Sequence, residues 1–148
     1  MIRRATLEDA DAVREIFLAA RDRMPYLPRI PDHDRPLLGD WILERHAVWV
    51  HEHDGRVTGF AGLEGRELSH LYVAPEAQNG GIGAALLQHT KQLGSGLQLW
   101  VFQRNSGARR FYERHGFHLV QLTDGAANME HEPDALYSWR PSDRGELA

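Results

Sequence analysis

The chain has 148 residues, no cysteine and a formal net charge of −4. Its length suits a single domain over residues 1–148 that buries about 70% of its unfolded surface. Without cysteine it has no disulfide, no thiolate zinc site and no cysteine-linked acyl intermediate. The lack of a long basic run disfavours a nucleic-acid partner. With no bilayer-length apolar stretch and an acidic N-terminal segment, MIRRATLEDAD, we expect a soluble cytoplasmic protein without a membrane partner.

The first third of the chain predicts one strand and two helices. Met1 to Ala5 fit a short strand, and Thr6 with Asp9 resembles a capping box. Apolar residues then recur at helical spacing, which predicts an amphipathic helix over residues 7–24. Four prolines between residues 25 and 36 predict a rigid irregular loop. A second helix is expected over residues 35–45.

The remainder predicts a strand-rich segment and two further helices. Three strands over residues 47–53, 56–64 and 67–73, with glycine turns between them, indicate an antiparallel meander. A helix from Ile82 to a C-terminal Gly94, a strand over 97–102 and a helix over 105–115 ended by Gly116 follow. Residues 117–122 and 135–139 are expected to form a closing antiparallel pair, and residues 141–148 a frayed tail.

A glycine-rich turn joins the third meander strand to the next helix, in residues 73–87, VAPEAQNGGIGAALL. Gly80, Gly81 and Gly83 have no side chains to block an approach to the main chain, so the amides of the turn can converge on an anion. ATP and GTP are poor ligands because Gly83 is not followed by Lys and Ser or Thr. A dinucleotide is disfavoured because Leu86 replaces the third glycine and Gln103 replaces the ribose-binding carboxylate.

Two motifs carry a resemblance to a known family. Gln78, Gly81 and Gly83, just after LYVAP, resemble the pyrophosphate-binding loop of the GNAT superfamily of acyl-CoA-dependent N-acetyltransferases. Residues 105–117, NSGARRFYERHGF, resemble the family's other motif, in which Asn is followed by Ala, an aromatic pair and Gly-Phe. The motifs occur in the family's order, and the resemblance spans residues 48–139.

The resemblance implies a fold, a reaction and a set of donor contacts. The fold is α+β, a mixed and mostly antiparallel sheet flanked by helices, in which the parallel strands over 67–73 and 97–102 splay apart around the acyl-pantetheine arm. The reaction transfers acetyl from acetyl-CoA to a primary amine by direct attack in a ternary complex, without a metal, in a possible homodimer. The implied coenzyme contacts are Leu71, Tyr72, Val73, Gln78, Asn79, Gly80, Gly81, Ile82, Gly83, Ala84, Asn105 and Arg110.

Two of these contacts have plainer readings. Asn105 precedes a helix, where any Asn can serve as an N-cap. Arg109, Arg110 and Arg114 form a run that is by default a solvated helix face, although one of them can meet the 3′-phosphate of the coenzyme.

The reaction needs a base for the amine and an acid for the departing thiolate. Tyr112 occupies the position where the family often places the acid, and its alternative role is a core aromatic. Glu67 is the first candidate for the base, because several family members carry a glutamate there, and His70 is the second. Strict strand alternation puts Glu67 and His70 on opposite faces, whereas a bulge, common here in the family, would reverse that assignment.

The sequence says least about the acceptor amine, which belongs to a small molecule or a protein. Polar loop residues expected near the thioester end are His33, Glu64, Asn128, Glu130 and Glu132. A carboxylate cluster attracts a cationic amine, although acidic loop residues are usually only solvated. A non-catalytic acyl-CoA sensor or partner-binding domain is the alternative function, and a structural protein that does not bind the coenzyme is a weaker one.

Overall fold

A computed structural model describes residues 1–141 as one seven-stranded sheet with four α-helices. The strands run in the order β1-β2-β3-β4-β5-β7-β6. The elements are β1 (Ile2–Arg4), α1 (Ala10–Asp22), α2 (Leu38–Arg45), β2 (Ala47–His53), β3 (Arg56–Glu64), β4 (Glu67–Val73), α3 (Ile82–Lys91), β5 (Leu97–Phe102), α4 (Ser106–Arg114), β6 (His118–Leu122) and β7 (Asp134–Trp139). None of the helices within this range is long and apolar enough to cross a bilayer.

The sheet carries a hydrophobic core on each face. Helices α1 and α2 cover one face, where Val13, Phe17 and Ile42 pack against Val50 and Phe60. Helix α3 covers the other face, where its Leu86 and Leu87 lie in a cluster with side chains of β5 and β7. Residues 59–63 of β3 are buried without interruption because this strand lies between helices on both sides. The predicted α+β fold is confirmed.

Strands β4 and β5 form the parallel pair of the sheet and separate almost at once. Glu67 and Gln98 are their one register pair in the described chain. Each antiparallel neighbour, β3 for β4 and β7 for β5, has six register pairs. The two strands therefore start together and open a gap toward the end of β4, as the resemblance predicted.

A β-bulge lies in β4. Leu63 pairs with Leu68 and Gly62 pairs with His70, so Ser69 is the extra residue. Because the bulge shifts the alternation of side chains by one, Glu67 and His70 lie on the same face of the sheet. The structure thus has the bulged geometry rather than the strict alternation.

Several predicted boundaries need correction. The first 3 residues predicted for α1, Leu7–Asp9, form a 3₁₀ turn, and the helix ends at Asp22. Helix α3 ends at Lys91 rather than at Gly94, because the amides of Gln92 and Leu93 bond three residues back and tighten the last turn. Residues Pro75–Ala77 form a further 3₁₀ turn that the sequence did not predict.

Two predictions about domain organisation stay predictions. The frayed tail falls on residues 142–148, which lie outside the described residues. A single domain over residues 1–148 likewise stays a prediction.

Candidate active site

A cleft of about 860 Å³ opens where β4 and β5 diverge. Its walls come from the end of α1, the end of β4, the glycine turn, α3 and α4. The predicted residues that line it are Leu71, Tyr72, Val73, Gln78, Asn79, Gly81, Ile82, Gly83, Ala84, Asn105 and Tyr112. Both motifs, which are more than twenty residues apart in sequence, therefore border one space.

The glycine turn presents main-chain amides to this cleft. Asn79 and Gly81 have φ angles of 66° and 82°, in the left-handed region, so the chain reverses sharply before α3. No side chain of the described residues caps the helix, and its hydrogen bonding starts from the Ala85 amide to the Gly81 carbonyl. The preceding amides and the positive end of the helix dipole are thus available to an anion.

The space above the turn also fits a diphosphate. A Cβ built on Gly81 meets no heavy atom within 4 Å, so this position borders open space. At Gly83 the nearest atoms to such a Cβ are side-chain carbons of Phe111 and Val73 at 3.7 Å. The absence of side chains here leaves room for a ligand rather than for tight packing of the protein itself. These residues fit the diphosphate of coenzyme A.

Gln78 fixes the turn to its surroundings. Its Nε2 donates to the Val73 carbonyl at 3.3 Å, and Nη1 of Arg23 donates to its Oε1 at 3.4 Å. The side chain thereby connects the end of β4 with the end of α1. These two bonds link the loop to both elements, and the coenzyme contact of Gln78 stays a prediction.

Three arginines border the cleft, and only one of them, Arg114, was among the candidates for a phosphate contact. Arg23, Arg104 and Arg114 line it, whereas Arg110 is exposed and outside the lining. No local motif marks Arg23 or Arg104, which come from the segments after α1 and β5. Arg110 as a phosphate contact stays a prediction, and the position of Arg114 supports that residue better.

Tyr112 packs as an aromatic residue and also lines the cleft, while its role as the acid stays a prediction. The residue is half-buried, and its ring packs edge-on against Phe111 and Phe117, with centroids 5.2 and 5.5 Å away. It also lines the cleft. Burial raises the pKa of the Tyr112 phenol well above its usual value, and the nearby Tyr72 acts in the same direction. The hydroxyl therefore keeps its proton at neutral pH and is a donor.

Asn105 is an N-cap and a cleft residue at once. Its Oδ1 accepts the Ala108 amide at 3.2 Å at the start of α4. This bond occupies the oxygen and leaves the two N–H groups of the side-chain amide for a ligand carbonyl. The capping role is confirmed, and the coenzyme contact stays a prediction.

Glu67, the first candidate for the base, lies at the closed end of the gap. It pairs with Gln98 and is not part of the cleft lining. Leu71 lies four positions further along β4, and because of the bulge these positions span three residues of β3, roughly 10 Å. Oγ of Ser69 donates to Oε2 of Glu67 at 3.4 Å. The role of Glu67 as the base stays a prediction.

His70, the second candidate, lies among aromatic rings. Its ring is edge-on to Phe17 at 5.5 Å and to His46 at 4.7 Å. Its Nδ1 is buried without a hydrogen-bond partner. Burial, with a smaller contribution from His46, lowers the pKa of His70 to about 3. The imidazole is therefore neutral at pH 7 and a weak proton acceptor.

A second cavity, of about 400 Å³, lies between β5 and the loop that joins β6 to β7. Two predicted acceptor residues, Asn128 and Glu130, line it together with Trp100, Phe102 and Asp134. Both predicted residues already have partners. Nη2 of Arg21 lies 3.3 Å from Glu130 Oε2, and the Asn128 amide nitrogen donates to the Glu132 carbonyl and to Asp134 at 2.7 and 3.1 Å.

The other three predicted acceptor residues border neither space. Glu132 is buried, with Oε2 2.9 Å from Nε of Arg104 but without the angle of a hydrogen bond. His33 is highly exposed and lies 3.4 Å from a carboxylate oxygen of Asp34. Glu64 is exposed at the end of β3, opposite Glu67. The structure brings none of these three to the cleft, and their contact with an acceptor stays a prediction.

The geometry agrees with comparisons to known proteins. Residues 44–119 match the family described as acetyltransferase (GNAT) domain. Peptidyl-lysine N-acetyltransferase YiaC of Escherichia coli strain K12 is 38% identical over 123 residues, which cover 81% of this chain and 84% of that protein. The crystal structure of ribosomal-protein-alanine N-acetyltransferase from Brucella melitensis has a TM-score of 0.77 at 20% identity, covering 95% of this chain and 99% of that one.

A structure solved with the donor has the same fold. The structure of yncA from Salmonella typhimurium with its cofactor acetyl-CoA has a TM-score of 0.71 at 21% identity, covering 95% of this chain and 92% of that one. The chain belongs to the GNAT family of acetyltransferases. It is an acetyl-CoA-dependent N-acetyltransferase, and the predictions of family, enzyme class and donor are confirmed.

Proposed function

We propose that this enzyme acetylates the side-chain amine of lysine residues in peptides or proteins. The observation that carries the proposal is the continuous cleft in which the glycine turn and Tyr112 face one space between the splayed strands. The peptidyl-lysine specificity of the Escherichia coli relative supports a lysine acceptor. Transfer is direct within a ternary complex, since the chain has no cysteine to carry the acetyl group.

The donor side of the cleft binds by main-chain contacts. The amides between Asn79 and Ala84 hold the diphosphate, and the amide and carbonyl groups of Leu71 to Val73 that face the gap pair with the pantetheine arm. Arg23 and Arg114 at the cleft add positive charge that attracts the 3′-phosphate of the coenzyme. Acetyl-CoA supplies the activated acyl group as a thioester.

The reaction needs one group that takes a proton from the amine and another that gives a proton to the departing sulfur. A lysine ammonium with a pKa of about 10.4 loses a proton at neutral pH at a cost of roughly 4 to 5 kcal/mol. Glu67 accepts that proton through water, and the neutral His70 is the weaker candidate. Tyr112 donates to the departing thiolate, whose intrinsic pKa is about 8.5. The raised pKa of Tyr112 keeps this proton available.

The acceptor enters beside the loop between β6 and β7. Glu130 lies in that loop, and its charge raises the pKa of Tyr72 in the cleft. The charge of its partner Arg21 lowers the same pKa. A lysine ammonium would share Glu130 with Arg21. The partly exposed Trp100 in the adjoining cavity supplies an apolar surface for a peptide segment. This arrangement favours an extended acceptor over a small enclosed one.

Location and assembly belong to the same proposal. The family resemblance supports a cytoplasmic homodimer. Edge strand β6 exposes Leu119, Val120 and Leu122, which would be covered by a second copy. Light scattering of the purified protein should give twice the 16.8 kDa chain mass. A monomer at micromolar concentration would refute the dimer without affecting the enzymatic proposal.

The decisive experiment incubates the protein with acetyl-CoA and three acceptors: a lysine-containing peptide with a blocked N-terminus, the same peptide with Lys replaced by Arg and a free N-terminus, and a small primary amine. Thiol release and peptide mass are followed together. We expect acetylation of the lysine peptide only, seen as the mass of one acetyl group gained less that of the amine hydrogen it replaces. Acetylation confined to the small amine or the N-terminus would overturn the lysine assignment. Tight donor binding without turnover on any amine would favour the sensor alternative.

A further inference from the structure

Helix α4 carries Tyr112 but has little apolar anchorage. None of its residues is fully buried. Ala108, Phe111 and Tyr112 are only partly buried where they pack against the core of the α3 face. The position of Tyr112 therefore depends on the polar contacts that hold this helix on the sheet.

One such contact involves a residue that the reaction does not otherwise use. Tyr137 on β7 is completely buried. Its hydroxyl donates to Oε2 of Glu113 at 2.6 Å and accepts from Nε of Arg109 at 3.0 Å. Arg109 and Glu113 are one helical turn apart on α4. A single buried hydroxyl thus bonds to two successive turns of the helix, next to Tyr112.

The chemistry of the contact makes it directional. The phenol lies between a guanidinium, which can only donate, and a carboxylate, which can only accept. Burial and the bond to Glu113 raise the pKa of Tyr137, so its proton stays on the phenol and points to the carboxylate. Charge-assisted hydrogen bonds are stronger than neutral ones and have narrow geometry.

We propose that Tyr137 is a positioning residue for catalysis, fixing the rotation and axial register of α4 so that the Tyr112 hydroxyl meets the departing sulfur. This inference rests on the proposed acid role of Tyr112. Bonds from two successive turns to one buried hydroxyl oppose both a slide along the helix axis and a rotation about it. Displacement of a reacting group by about 1 Å is enough to lower a rate up to 100-fold.

The test removes the contact from either end. Tyr137→Phe deletes the buried hydroxyl, and Glu113→Ala removes its acceptor by changing a residue of α4 that is itself exposed. We expect each variant to lower kcat roughly tenfold while the KM for acetyl-CoA stays within about twofold. Thr90→Val is the matched control, since it removes another buried hydroxyl, bonded to the Leu87 carbonyl at 2.8 Å. Its kcat should be unchanged.

A double-mutant cycle shows whether Tyr137 acts through Tyr112. If it does, Tyr112→Phe combined with either variant loses no more kcat than Tyr112→Phe alone, within about twofold. Two outcomes would overturn the positioning role only. Either the losses of kcat multiply in the double variant, or Tyr137→Phe and Glu113→Ala both keep a kcat within twofold of the parent. An unchanged kcat in Tyr112→Phe itself would instead overturn the proposed acid role.

Discussion

The donor and acceptor sides of this enzyme are built in opposite ways. On the donor side the recognising groups are main-chain amides around Gly81, where no side chain caps α3. On the proposed acceptor side the polar groups are side chains that already have partners, as in the ion pair of Glu130 with Arg21. An anion would therefore meet uncapped amides at the glycine turn, whereas an amine would have to share or displace an existing partner.

This difference explains what each side can recognise. Main-chain amides at a helix start bind the same diphosphate in any member of a family, because side-chain identity hardly matters there. Exchange of paired side chains on the proposed acceptor side is expected to change which amine is accepted. Four substitutions separate the two sides.

Tyr112→Phe should lower kcat about 100-fold, since general acid catalysis contributes at least this much. The Kd for acetyl-CoA, measured by calorimetry, should stay within twofold. The pKa of Tyr112 is raised above its usual value, so the phenol stays protonated in mildly alkaline solution. The wild-type kcat should therefore not decrease on the alkaline side up to about pH 9.5. A turnover number within twofold of the parent would contradict the acid role.

Glu67→Gln should lower kcat/KM at least roughly tenfold and abolish its decrease on the acidic side of the pH profile. His70→Gln is the control. His70 has a pKa of about 3 and does not change charge between pH 5 and 8, so the acidic limb should survive in this variant. An unchanged profile in Glu67→Gln, together with a lost limb in His70→Gln, would transfer the base role to the histidine.

Gly81→Ala should weaken acetyl-CoA binding roughly fivefold, because alanine resists the φ of 82° and its methyl group enters the diphosphate space. Gly55→Ala imposes comparable strain at a φ of 75°, also with no atom within 4 Å of the new methyl group, but in the turn between β2 and β3. Calorimetry should find weaker binding in the first variant only. Equal Kd values in the two variants would show that the turn does not hold the coenzyme.

Glu130→Gln should raise the KM for a lysine peptide about threefold and leave the Kd for acetyl-CoA unchanged, since a partly exposed charge contributes about 1 kcal/mol or less. Glu15→Gln removes the same charge from an exposed pair with Arg14 and should leave both constants unchanged. Steady-state kinetics with varied peptide measure the difference. A larger change in the Kd for acetyl-CoA than in the KM for the peptide would contradict the acceptor role of Glu130.

The sequence predicted the elements with local signals most accurately. The bounds of β2, β3, β4 and β5 agree with the prediction, because apolar residues typical of strands fill these segments and glycine turns separate the first three. The glycine turn and the two motifs were located for the same reason. The end of α3 was predicted wrongly because Gly94 is a typical C-terminal residue, whereas the helix had already tightened before it.

Contacts between distant segments were beyond the sequence. Nothing local places β7 between β5 and β6, pairs Arg21 with Glu130, or buries the Tyr137 hydroxyl between two residues of α4. Arg23 and Arg104 likewise reach the cleft only through the packing of distant segments. These features depend on packing of elements up to about a hundred residues apart, and most of the acceptor side consists of them.

The single rung between β4 and β5 leaves two strand edges facing each other inside the sheet. Unpaired edges invite pairing with foreign strands, and here they cannot be shielded by charge without closing the donor site. A donor bound along these edges, as proposed, would take the place of a missing strand, and its occupancy would raise thermal stability by mass action. We therefore expect these edges to be least available to foreign strands when the donor is in excess.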